Sequence, residues 1–266
     1  MGNYLFGSPL AYDVACPQTT AALGAIARQP PRRLRDPSPW RTAAGADPVL
    51  VDLGSAVVPL GFFVDNTRYT HYLIRSSPTG LGFGSYSQTT CVTNLDVRTN
   101  RRKGYVAWPP GAAAARYYLC TSSGVQGAEA LDIPVGDLGT IAVLGSTGAI
   151  ELVENPGWPS ISVEQGQTSL PYVGGGSEEN TEGRPRVQIT LQQDLFRTDK
   201  LDSGGRTIVD QLRDLRGLTP PGTPVLFAEN GTDPSAAYLM ERVDPLAVIE
   251  RFPGIGLDSL ILREMW

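Results

Sequence analysis

Between Pro48 and Ser76 the chain reads PVLVDLGSAVVPLGFFVDNTRYTHYLIRS, and its apolar residues recur with a period of two. Val49, Val51 and Leu53 alternate across a short run closed by Gly54, and Leu60, Phe62 and Val64 repeat the pattern before the turn-forming pair Asp65-Asn66. A third run, Tyr72 to Ile74, follows at once. Successive side chains of a strand point to opposite faces, so this spacing suits half-buried strands and does not suit a helix. Three such runs in close succession predict an antiparallel β-sandwich.

A chain of 266 residues with 30 glycines and 22 prolines favours many short strands joined by turns over long helices. Twenty-two basic residues against 27 acidic ones give a net charge of −5, which repels phosphate backbones, so no specific nucleic-acid binding is expected. Lysine occurs only at Lys103 and Lys200, and arginine supplies every other cation, a bias read as base composition and not as mechanism. Cys16, Cys91 and Cys120 cannot all pair within one chain, and none has the C-x-x-C spacing of a redox or zinc site. They read as reduced thiols, with Cys91 and Cys120 the one pair that could face each other across strands. The N-terminal residues show no basic region followed by an apolar stretch, so no secretory signal is expected. The longest apolar tract, Leu138 to Val153, is broken by glycines and Glu151 and reads as two strands, so no membrane insertion is expected. Asn230-Gly231-Thr232 fits a turn better than a glycosylation acceptor.

Along the chain, Arg28 to Pro48 carries five arginines among prolines and small residues without any period. It reads as a solvated connection or as an arm reaching a neighbouring subunit, with Arg32, Arg33, Arg35 and Trp40 as the candidate contacts. Gly80-Leu81-Gly82-Phe83-Gly84 lacks the third glycine of a dinucleotide fingerprint and reads as a loop tip. Arg98 to Lys103 reads as a solvated hairpin end. Strands are expected at Tyr117–Leu119, Ala128–Ile133, Gly139–Leu144 and Ala149–Val153, and the turn-rich stretch from Asn155 to Gly183 as a boundary or a long mobile loop.

Beyond that stretch Val187, Ile189 and Leu191 alternate with polar residues, as in a strand with one wet face. Ile208, Leu212 and Leu215 then fall at helical spacing and predict the one substantial helix. Strands at Pro224–Ala228, Tyr238–Val243, Ala247–Arg251 and Leu260–Leu262 complete a second unit. The expected fold is mainly β: a sandwich with an N-terminal arm over residues 1–173, and a smaller α+β unit over 183–266, the two either successive or interleaved.

The Asp52-Leu53-Gly54 strand end followed by Asp65-Asn66 resembles the galactose-binding-like, discoidin-type jelly roll. The second unit, with Gly183-Arg184-Pro185-Arg186 before a strand, a helix, Pro224 to Phe227, and a terminal strand ending Arg263-Glu264, resembles distal tail and baseplate proteins of long-tailed bacteriophages. That resemblance implies a structural virion protein, assembled in the bacterial cytoplasm, which forms a homo-oligomeric ring at the tail tip. Its partners would be other copies of itself, the tail tube protein, the baseplate hub, and tail fibre or receptor-binding proteins. The commonest arrangement of that family places the ring-forming unit first, whereas the jelly-roll signature here lies nearer the N-terminus. Two arrangements stay open: interleaved units, or exchanged roles.

No catalytic machinery is legible. His71 is the sole histidine and sits in a strand pattern beside Tyr69 and Tyr72, and no H-E-x-x-H, G-x-S-x-G or EF-hand spacing occurs. The chain is expected to be neither an enzyme nor a carrier of a cofactor or metal. Two alternatives remain. One is a carbohydrate-binding module without catalytic activity, whose ligand loop would be Asp65, Asn66, Arg68 and Tyr69. The other is a tail-terminator or connector ring.

Overall fold

The computed structural model describes residues 4–7, 9–11, 40–41, 49–67, 69–83, 85–99, 101–122, 137–145, 149–157, 159–164, 167–171, 177–181, 186–193, 196, 200–218, 224–229, 236–243, 247–251 and 254–264. The chain is mainly β, with a single helix among these residues. That helix is too short to cross a membrane.

The first strands are β1 (Leu5–Gly7), β2 (Pro9–Ala11), β3 (Trp40–Arg41), β4 (Val49–Val57), β5 (Pro59–Thr67), β6 (His71–Ser77) and β7 (Gln88–Val92). There follow β8 (Asn94–Asp96), β9 (Arg101–Ala107), β10 (Ala115–Ser122), β11 (Asp137–Gly145) and β12 (Ile150–Glu151). The remainder comprises β13 (Ser160–Glu164), β14 (Gln167–Pro171), β15 (Ser177–Thr181), β16 (Arg186–Gln193), helix α1 (Ile208–Leu218), β17 (Pro224–Ala228), β18 (Ala237–Arg242), β19 (Ala247–Arg251) and β20 (Gly254–Glu264).

These strands form a four-stranded sheet (β4-β10-β6-β7), a six-stranded sheet (β2-β11-β5-β9-β8, with β3 also on β11) and an eight-stranded sheet (β12-β1-β17-β18-β20-β16-β13, with β19 on β20). A separate two-stranded sheet holds β14 and β15. Every pairing is antiparallel.

Alternation explains how the sheets stack. In β11, Ile141 and Val143 enter one apolar cluster with Val51, Ile74, Tyr118 and Cys120 of the four-stranded sheet, while Ala142 and Leu144 enter another with Leu226, Ala228, Ala237 and Leu239 of the eight-stranded sheet. The six-stranded sheet is therefore covered on both faces. The eight-stranded sheet repeats the device: Leu226 and Leu239 face the six-stranded sheet, whereas Val225, Phe227, Tyr238 and Met240 join Ile208, Leu212 and Leu215 of α1. The order of layers is four-stranded sheet, six-stranded sheet, eight-stranded sheet, helix.

The helix forms where its residues predict. Thr207 caps it: its Oγ1 accepts from the Asp210 backbone N–H at 3.3 Å, and Asp210 Oδ2 in return accepts from the Thr207 N–H at 3.1 Å. The fully buried Gln211 then ties α1 to the end of β12, donating to the Glu151 carbonyl at 2.8 Å and accepting from the Val153 N–H at 2.9 Å.

Three local expectations are corrected. Gly54 does not close its strand. β4 continues to Val57 across a wide bulge against β10, with Gly54 at φ +74°, and Asp52 Oδ1 accepting the Gly54 N–H at 2.8 Å. Asp65-Asn66 does not turn, because β5 is the central strand between β9 and β11, its pairing with β9 running to Asp65 and that with β11 to Thr67. The stretch from Asn155 to Gly183 is not a boundary or a loop throughout, since β13, β14 and β15 lie in it. The expected strand at 128–133, Cys16, and the Asn230-Gly231 turn lie outside the described residues.

The N-terminal strand β1 pairs with β12 and β17 inside the sheet that carries the C-terminal strands. The sheet at the C-terminal end of the chain thus draws on residues from both ends of it.

Candidate functional site

The four residues proposed for a ligand loop divide as follows. Asp65 and Tyr69 are buried, Asp65 in the β5 ladder opposite Lys103 and Thr140, and Tyr69 in the core between the four- and six-stranded sheets, edge-on to Tyr72 at 6.1 Å. Asn66 lies within β5, and Arg68 is outside the described residues. Of the proposed arm contacts, Arg32, Arg33 and Arg35 are likewise outside them, while Trp40 belongs to β3 and pairs with Leu138 of its own chain. His71 is half-buried on β6, its Nδ1 2.9 Å from Thr70 Oγ1. Cys91 and Cys120 are free and buried, and burial pushes the Cys91 thiol up to about 12. No group of three or more His, Cys, Asp or Glu side chains among the described residues is placed to hold a metal.

Two features stand out that sequence reasoning missed. One is a cluster of charges around Lys103. The run from Arg98 to Lys103 reads as a solvated hairpin end, and its tip is one, with Val97 exposed and Arg98 partly so. The strand that follows is not. Arg102 and Lys103 are buried, because β9 lies inside the six-stranded sheet and both of its faces are covered. Gly104 shows how closely β9 is overlaid: a Cβ there would come within 2.2 Å of the Val92 carbonyl oxygen, so only glycine fits. Arg102 reaches the Thr93 carbonyl, donating from Nη1 at 2.7 Å.

Lys103 is only 1% exposed. Its Nζ lies 2.8 Å from Asp96 Oδ2 and 3.2 Å from the centroid of the Tyr238 ring, across the seam between the six- and eight-stranded sheets. The contact with Asp96 is a buried ion pair. Burial pulls the Lys103 ammonium below its ordinary value, opposed by the carboxylates of Glu264, Asp96 and Asp65. At Asp96, burial pushes the carboxyl up, but the charge of Lys103, its contact with Lys103 and the Arg98 N–H together hold it below the ordinary carboxylate range. Glu264 is as deeply buried as Lys103, and its Oε2 accepts the Val187 N–H at 3.1 Å. The signal for this cluster was present in the sequence as a lysine in a chain that otherwise uses arginine, but an Arg-Arg-Lys run gives no hint of burial.

The other feature is a hairpin. β13 and β16 pair from Ser160↔Thr190 to Glu164↔Arg186, and β14 and β15 resume the pairing from Gln167↔Thr181 to Pro171↔Ser177. β14 and β15 lie between β13 and β16 in sequence, so β13 with β16 forms the near half of this region and β14 with β15 the far half. The near half is the edge of the eight-stranded sheet, where Val163 is exposed, and the far half pairs only with itself among the described residues. At about 3.3 Å per residue, the five residues of each far strand extend it by roughly 17 Å. An isolated two-stranded hairpin is marginal in water, so a partner surface would stabilise it. The Gly174-Gly175-Gly176 tip lies outside the described residues. Comparison with protein families, with curated proteins and with solved structures returns no match to this chain.

Proposed function

We propose that this chain is a structural, non-catalytic virion protein of a long-tailed bacteriophage, closing into a homo-oligomeric ring at the tail tip. The ring would join the tail tube to the baseplate hub and to the receptor-binding parts. The four- and six-stranded sheets would form the jelly-roll unit, and the eight-stranded sheet with α1 the ring-forming unit.

One observation carries the assembly part of this reading: the strands β13 to β16, whose far half has no strand partner beyond itself among the described residues. Unpaired strand edges and free-standing hairpins seek partners, and a closed ring of identical subunits hides them all. The role of Arg28 to Pro48 as a second arm rests on its sequence alone. The sugar-binding alternative loses support, since Asp65 and Tyr69, two of its four residues, are buried.

Deleting residues 167–181 and closing the gap with a short glycine turn tests the proposal, because among the described residues the deleted strands pair only with each other. Negative-stain imaging of the intact protein at micromolar concentration is expected to show closed rings with a hole wide enough for duplex DNA. The deletion variant is expected to keep its cooperative thermal unfolding and remain monomeric. Rings from the deletion variant would overturn the role of the hairpin, and monomeric intact protein that also fails to assemble on tail tubes would overturn the ring itself.

A further inference from the structure

Lys103 is one of two lysines among 22 basic residues, and it occupies the most enclosed cationic position described. The choice of lysine there has chemical content. Arginine cannot lose its proton in a protein, whereas a buried lysine can, and its neutral amine is a nucleophile. Among the described residues the carbon electrophile seen against the amine is the Asp96 carboxyl: its Oδ2 is 2.8 Å from Nζ and its side chain is 7% exposed. The surroundings exclude water: Tyr238 covers Nζ at 3.2 Å, and buried Glu264 supplies a further carboxyl from the facing sheet.

We propose that Lys103 and Asp96 join spontaneously in an intramolecular amide that bridges β8 and β9. The first step moves one proton from the Nζ ammonium to the Asp96 carboxylate, turning the ion pair into a neutral amine and a neutral acid; burial of both groups lowers the cost of that neutral form. The Nζ lone pair then attacks Asp96 Cγ. A C–N bond forms, the bond from Cγ to the acid hydroxyl breaks, and the departing hydroxyl leaves as water with one of the two amine protons. Glu264 is the carboxyl available to relay that proton. No oxidant, reductant or cofactor enters the balance. Fixing the two groups together replaces a bimolecular encounter, which is the source of the rate. The bridge would close residues 96–103 into a covalent ring around the exposed Val97 tip, in a segment with four consecutive tryptic sites: Arg98, Arg101, Arg102 and Lys103.

The experiment is an intact-mass measurement on the denatured full chain, followed by tryptic mapping. The expected mass is below the sequence mass by one water, with a branched peptide joining the Asp96 segment to the Lys103 segment. Asp96→Asn is expected to give the same final product mass, because it forms the same amide with loss of ammonia. Lys103→Arg and Asp96→Ala are expected to show their full sequence masses, and Glu264→Gln to slow the loss of water. The wild-type chain at its full sequence mass overturns the proposal whether or not any variant folds. Loss of water mapped to another residue pair overturns it equally.

Discussion

The two faces of the six-stranded sheet are built from alternate residues of the same strands, yet they solve different problems. Toward the four-stranded sheet, Phe62, Trp108 and Tyr118 stack with ring centroids 5.3 to 5.4 Å apart, joined by Ile141, Val143 and Ile74. In this core Tyr118 Oη donates to the Val57 carbonyl at 2.7 Å. Toward the eight-stranded sheet the apolar residues are smaller, including Ala142, Ala228 and Ala237, and Lys103 reaches from the six-stranded sheet to the Tyr238 ring. The first interface is held by apolar packing; the second adds a buried lysine and its carboxylate neighbours.

Removing one member from each face breaks the comparison most directly. Phe62→Ala takes away a ring that touches both Trp108 and Tyr118 and is expected to cost about 4 kcal/mol, read as a lower midpoint in chemical denaturation. Lys103→Met keeps much of the side-chain volume but takes away the group that neutralises Asp96, as cation or as amide, leaving that carboxylate buried alone, and is expected to cost about 3 kcal/mol. A Lys103→Met variant as stable as the wild type would show that the seam behaves as an apolar interface after all.

A pH titration sharpens the comparison with the smallest perturbation. Burial pushes Tyr118, on the first face, and Tyr105, on the second, up to about 12 each. A phenol whose folded-state value is raised contributes stability that is fully present below its unfolded value near 10 and is lost as pH rises through 12. Neither face should weaken through these tyrosines below pH 10, and both should weaken over the same alkaline window. Phenolate absorbance monitored alongside near-ultraviolet circular dichroism checks this; ionisation of either tyrosine with the fold intact would show that its burial is less complete than described.

The legible parts of this fold were those decided locally. The alternation in Val187–Leu191, the apolar run Pro224–Ala228 and the spacing of Ile208, Leu212 and Leu215 each correspond to an element at the expected place. What escaped was decided by neighbours distant in sequence. Asp65-Asn66 has turn chemistry, but two flanking strands hold it extended. Arg102 and Lys103 look solvated until the sheet that covers them is known. Residues 160–181 are rich in glycine and polar side chains, and their pairing follows from antiparallel register, not from apolar period. The proposed ligand and arm residues were chosen by residue type and expected loop position, and of them Asp65, Asn66, Tyr69 and Trp40 are among the described residues, all but Tyr69 in strands.

The position of β1 bears on how the chain is made. Leu5 lies opposite Ala228, so β1 gains its inner neighbour only once β17, far along the chain, has been synthesised. At the usual 5–20 residues per second that delay is on the order of ten seconds or more, during which Phe6, fully buried in the finished protein, lacks the strand that covers it on that side. Slow translation of the stretch between the two strands would lengthen this vulnerable interval, and chaperones that hold nascent apolar segments would find a target in β1.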